Sequence, residues 1–134
     1  MRVDEVVEWY QIAEDDLYSA KVLNDQVRKP IEIICYHCAQ SAEKILKGFL
    51  VYNDVEPPKT HNLLLLHELC VKIDNNFTNV RLECGMLNKF ANEIRYPHWF
   101  DVSQSDADLS IKSVEKIKNL KPIKEIINNL NLGL

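Results

Sequence analysis

Between Ile31 and Tyr52 the sequence IEIICYHCAQSAEKILKGFLVY places apolar side chains at Ile31, Cys35, Cys38, Ala42, Ile45 and Phe49. Alternating steps of four and three residues are the period of one helical face turned to a core. A second line, Ala39, Leu46 and Leu50, widens the stripe, so neighbours are expected on more than one side of this helix. The remaining line is polar and partly cationic: His37, Gln40, Lys44 and Lys47. A purely structural helix would more often mix acids into such a line. The segment therefore reads as the central packing element and as a candidate functional wall.

The rest of the chain is organised in the same period. Val6, Tyr10, Ala13, Leu17 and Ala20 mark a first amphipathic helix over residues 4–24, with Glu5, Glu8, Glu14 and Asp15 on its outer face. In the acidic run Glu14-Asp15-Asp16, Asp16 points nearest the core. Asp25 to Pro30 is a connector, and proline suits the start of the following helix. Asn53 to Lys59 is a loop, because consecutive prolines cannot continue a helix. Thr60 is the expected cap of a third helix over residues 61–73, whose four successive leucines, Leu63 to Leu66, predict a largely covered element. Asp74 to Asn79 reads as a turn. A fourth helix is expected from about Val80 to Arg95, where Pro97 disfavours helical backbone at Tyr96. Ser103 or Ser105 caps a fifth helix, and Pro122 is expected to kink or break it before a last apolar turn or two. No stretch reads as a strand. The expectation is an all-α, up-and-down bundle of four to five helices forming a single domain over residues 1–134.

Charge and composition narrow the function. Twenty acidic against sixteen basic residues give a net charge of −4, so binding of nucleic acid through bulk charge is disfavoured and a polyanion site requires local basic clustering. No apolar run approaches the ~20 residues that span a membrane. The acidic, amphipathic start lacks the pattern of a signal peptide. A cytoplasmic location with reduced thiols is the expectation.

Cys35-x-x-Cys38 has the spacing of a metal or redox pair, with Cys70 and Cys84 as further thiols. Both residues fall on the buried stripe inside a long helix, however. Zinc sites usually take such a pair from a turn, and redox pairs open a helix. Core packing is the reading, with no metal and no cofactor. His61 and His67 are six residues apart, not at the i,i+4 spacing of a helical zinc pair. His61 shares a loop with Lys59, which makes both candidates for the rim of a site, beside a plain capping role. Arg95, Tyr96, Pro97, His98, Trp99 and Phe100 leave the fourth helix together. Arginine can grip phosphate and histidine can move a proton near neutral pH. Two readings stand for this bend: a site, or a seal over the bundle end with Arg95 paired to Glu93 or Asp101. With three glycines there is no phosphate-cradling loop, and no nucleophile elbow occurs.

Four motifs in order resemble one family. They are Trp9, Ala13, Asp16-Leu17, Ala20 and Leu23; then Cys35-Tyr36-His37-Cys38-Ala39-Gln40-Ser41-Ala42-Glu43-Lys44 with Leu46 and Lys47; then Pro57-Pro58-Lys59-Thr60-His61; then Arg95-Tyr96-Pro97. Together they resemble a HEPN domain (higher eukaryotes and prokaryotes nucleotide-binding) of the small prokaryotic type. The resemblance implies a helical bundle that pairs into a homodimer and often accompanies a minimal nucleotidyltransferase in toxin–antitoxin-like pairs. Many members are metal-independent ribonucleases with an Arg-x(4–6)-His motif. Here the histidine after Arg95 is His98, with two residues between, and Tyr96 stands where those enzymes prefer a polar residue.

The first expectation is thus a HEPN binding module for a nucleotide, RNA or nucleotidyltransferase partner. Its site would combine His37, Gln40, Lys44 and Lys47 with Arg95, Tyr96 and His98, and with Lys59 and His61 at the rim. A divergent ribonuclease using Arg95 and His98, and a non-catalytic structural adaptor, are the alternatives.

Overall fold

A computed structural model describes residues 2–91 and 101–134. Among the described residues six α-helices and one 3-10 helix follow in order: α1 (Val3–Asn24), α2 (Ile31–Tyr52), α3 (Leu63–Ile73), a 3-10 turn (Asn75–Val80), α4 (Arg81–Asn88), α5 (Gln104–Lys118) and α6 (Lys121–Asn129). Among the described residues there is no strand, and the fold is an all-α bundle. No helix among them is long and apolar enough to cross a membrane.

The frame is an antiparallel pair, α1 against α2. Its rungs run in opposite directions along the two helices: Asp16 meets His37, the Ser41 hydroxyl donates to the Ala13 carbonyl (2.7 Å), and the Tyr10 hydroxyl donates to the Ile45 carbonyl (3.2 Å). The last rung is Gly48. A Cβ there would sit 3.0 Å from Cε2 of Tyr10 and 3.1 Å from Cβ of Trp9, so glycine is what lets the helices approach at this point. Helices α3, α4, α5 and α6 cover the other sides of α2. No residue of α2 between Ile33 and Val51 is exposed. The double apolar line in this segment demanded that degree of enclosure.

α5 also runs antiparallel to α1, tied by Lys118–Glu14 (2.8 Å), Lys21–Glu115 (3.6 Å) and the Asn24–Asp108 hydrogen bond (3.2 Å). It starts in a full capping box: Ser103 accepts from the Asp106 amide while the Asp106 carboxylate accepts from the Ser103 amide.

Several expected boundaries move. The third helix starts at Leu63, capped by Asn62, because the Thr60 hydroxyl is engaged by the Asn62 amide instead. Its leucines divide: Leu63 and Leu66 are buried, while Leu64 and Leu65 remain 37% and 40% exposed. The helix is therefore amphipathic rather than largely covered. The turn after it is wound into a 3-10 helix, with Asp74 capping and Phe77 buried as its anchor. α4 ends at Asn88, where the Phe90 and Ala91 amides bond three residues back instead of four. The expected continuation to Arg95 reaches outside the described residues. The break expected at Pro122 is present: α5 ends at Lys118 and α6 starts afresh at Lys121, with Pro122 in its second position, where its missing N–H costs no helical bond.

Candidate functional site

The four thiols settle into the core. Cys35, Cys38, Cys70 and Cys84 are all free and buried. Burial pushes the Cys35 thiol up to about 11 and the Cys84 thiol to about 12, with Cys38 and Cys70 raised further. Such groups are protonated, inert packing side chains at neutral pH. Among the described residues no cluster of three or more His, Cys, Asp or Glu side chains is placed to hold a metal ion. His67 is likewise a core residue. Its Nε2 donates to the Phe77 carbonyl at 2.7 Å and closes α3 onto the 3-10 turn.

The polar line of α2 is not a bare cationic wall. Asp16 of α1 reaches across to it, with Oδ1 3.0 Å from His37 Nδ1 and Oδ2 3.1 Å from Lys44 Nζ. The Lys44 ammonium also donates to Gln40 Oε1 at 3.0 Å. One turn further along α2 the arrangement recurs. Glu43 places Oε1 2.8 Å from His61 Nδ1 and Oε2 3.1 Å from Lys47 Nζ. Each group thus consists of a carboxylate gripping a lysine with one oxygen and a histidine with the other.

Exposure differs sharply within these groups. The side chains of Glu43 and Lys47 are only 5% and 9% exposed, whereas that of His61 is 61% exposed. Lys47 lies inside rather than on the surface, with its Nζ 5.7 Å from the centroid of the Trp9 ring, a cation–π contact. A helical period places Lys47 on the polar line but cannot show a ring from α1 closing over it. In the first group the histidine is again the outermost member: His37 is 29% exposed, against 16% for Asp16 and for Lys44.

Of the residues expected from sequence, the structure brings His37, Gln40, Lys44, Lys47 and His61 onto one side of α2, with Lys59 exposed in the adjoining loop. Arg95, Tyr96 and His98 lie outside the described residues. Three residues of the arrangement were not anticipated as part of a site: Asp16, Glu43 and Trp9. The i,i+4 spacing of Glu43 and Lys47 was a usable local signal. Asp16 and Trp9 meet α2 only through helix pairing, which no local spacing encodes. Beside the Lys47 group, Glu5, Glu8, Trp9 and Ile12 line a shallow cleft of about 160 Å³.

The fold and this α2-centred arrangement belong to a small helical domain built around one long central helix. Residues 6–126 match the HEPN domain, and the chain belongs to the HEPN family. The fold is also that of a crystal structure of an archaeal HEPN homologue, with a TM-score of 0.67, 23% sequence identity, and 97% of this chain and 98% of that one covered. No curated protein was found to match.

Proposed function

We propose that this HEPN protein is a binding module for a phosphate-bearing ligand, a nucleotide or RNA, at the side of α2 that carries His37, Gln40, Lys44 and His61. The observation that carries the reading is the pair of carboxylate–lysine–histidine groups repeated along one helix. Taking Glu43 and Lys47 out of water is costly, and a well-packed apolar pair often serves stability as well or better. What the groups supply beyond packing is two histidines held in fixed orientation with Nδ1 engaged. Neither Nε2 has a hydrogen-bond partner among the described residues. Exposed Lys59 adds a positive charge at the rim in a chain of net charge −4.

Titration with nucleoside phosphates and short single-stranded RNA tests this. Losing one charge-assisted hydrogen bond costs about 1.5–3 kcal/mol, so His37→Ala should weaken binding at least about tenfold. Unchanged affinity in both His37→Ala and His61→Ala would place the ligand elsewhere.

A second reading, a protein-partner role, has its own observation. Leu82 of α4 is 84% exposed, and α3, which packs on α4, exposes Leu64 and Leu65. The family expectations of a homodimer and of a minimal nucleotidyltransferase partner belong to this reading. Light scattering of the protein alone and mixed with a co-encoded nucleotidyltransferase would separate the two, with Leu82→Glu weakening any complex that uses this face.

A further inference from the structure

The two groups on α2 share a charge property that depends on the histidines alone. Each pairs one carboxylate with one ammonium: Asp16 with Lys44 at 3.1 Å, and Glu43 with Lys47 at 3.1 Å. With a neutral imidazole, each group carries no net charge, and its lysine is neither free nor outermost. With an imidazolium, each carries a single positive charge, located on its most exposed member. The carboxylate accepts from Nδ1 in both cases, at 3.0 Å for His37 and 2.8 Å for His61. Nδ1 therefore keeps its proton, and Nε2, across the ring, is turned away from the carboxylate. This is the relation in which a carboxylate fixes the tautomer and direction of a histidine.

We propose that the charge this face offers to a phosphate is the imidazolium of His37, seconded by that of His61, rather than the ammonium of Lys44 or Lys47. Asp16 and Glu43 are then positioning residues. They aim Nε2–H outward and cancel the lysines, so binding of the phosphate is coupled to proton uptake by the protein. This deepens the phosphate-binding reading and rests on it. Among the described residues, the titratable and charged groups around the two rings are Asp16 from α1, with Glu5 and Glu8 lining the cleft beside Trp9 and Lys47; Tyr36, whose ring centroid is 6.3 Å from that of His37, with Glu43, Lys44 and Lys47, from α2; and exposed Lys59 in the loop before α3. The more exposed ring, that of His61, is also the one nearest Lys59 in sequence.

The test uses an oligouridylate hexamer with hydroxyl ends. Its phosphodiesters and bases keep the same charge across the range in which imidazole titrates, so any pH dependence belongs to the protein. Affinity is measured from pH 8 to pH 5.5, and calorimetry in buffers of different ionisation enthalpy counts the protons taken up. Affinity should rise as pH falls, by up to about tenfold per pH unit for each coupled proton, with one to two protons taken up. His37→Gln should remove most of the uptake. Asp16→Asn keeps an oxygen for Nδ1–H but frees the Lys44 charge. It should bind more tightly than wild type at pH 8 and show a flatter pH profile, whereas loss of a merely structural contact would only weaken binding. Circular dichroism of each variant confirms that it is folded. Binding of the hexamer with no proton uptake, or uptake that survives in His37→Gln and His61→Gln together, overturns the inference while leaving the phosphate reading intact. Absence of binding at every pH overturns both.

Discussion

Glu43 is the more buried of the two carboxylates that hold a lysine and a histidine. One carboxylate, 5% exposed, serves a buried lysine on its own helix and a histidine from the next loop. Removing it leaves the Lys47 ammonium in a poorly solvated place beside Trp9. Breaking a buried pair from one side costs about 3–5 kcal/mol, so Glu43→Ala should lower the urea midpoint severely. The double variant Glu43→Ala/Lys47→Met should recover much of that loss, because no charge is left behind. The buried thiols make a second prediction at this scale. In the unfolded chain they lose their protons above pH 9, the ordinary thiol value, while in the fold burial keeps them protonated to about 11 at Cys35, about 12 at Cys84 and beyond at Cys38 and Cys70. The native state then holds more protons than the unfolded state, so stability is intact below pH 9 and falls as pH rises above it. Each thiol contributes a slope of up to about 1.4 kcal/mol per pH unit in that window. Urea melts from pH 7 to pH 10.5 should show the decline, and Cys38→Ala should make it shallower. The packing role of these cysteines was legible from the helical period alone. The burial of Lys47 was not, because it depends on a ring supplied by another helix.

At the scale of the element, helix ends and one close approach decide more than propensity. Ser103 and Asp106 satisfy each other's backbone donors at the start of α5, and Asn62 takes two amides at the start of α3, at 3.0 and 3.3 Å. Ser103→Ala and Asn62→Ala should each cost about 1 kcal/mol, read as a shift in thermal or urea midpoint. Thr60→Ala should cost less, since its hydroxyl serves a turn rather than the helix. Gly48 is the opposite case. Alanine there gains about 1 kcal/mol of helix propensity but meets the Tyr10 ring, and overpacking costs about 1–3 kcal/mol. The ring is held by its hydroxyl on the Ile45 carbonyl, so Gly48→Ala should be a net loss and Gly48→Val a larger one. The sequence signalled that caps were needed but did not rank Thr60 against Asn62. Both are good cap residues, and which one serves depends on where the loop from α2 delivers the chain.

Across the whole molecule, α2 is the element that every other helix covers or leans on, except for its first turn. Its amides should be the slowest to exchange with solvent in native-state hydrogen exchange, strongest over residues 38–51, while the 25–30 connector exchanges fastest among the described loops. Protection that was greatest in α5 or α6 instead would mean that the α1–α2 pair is not the last part to open. The candidate site lies on this same helix, whose buried face fills the bundle and whose polar side carries His37 and, through Glu43, engages His61.

By itself the sequence determined that the chain is all-helical, that residues 31–52 form its centre, and that the cysteines pack. These follow from short-range periodicity, which one helix face imposes on its own residues. The tertiary structure alone decided that the cationic line is neutralised, that Lys47 is inside, and that His37 and His61 are the outward members of two matched groups. Those facts require Asp16 to be brought 21 positions along the chain to His37, and Glu43 to be brought 18 to His61. Spacing within a helix carries no record of which carboxylate from elsewhere will arrive opposite it.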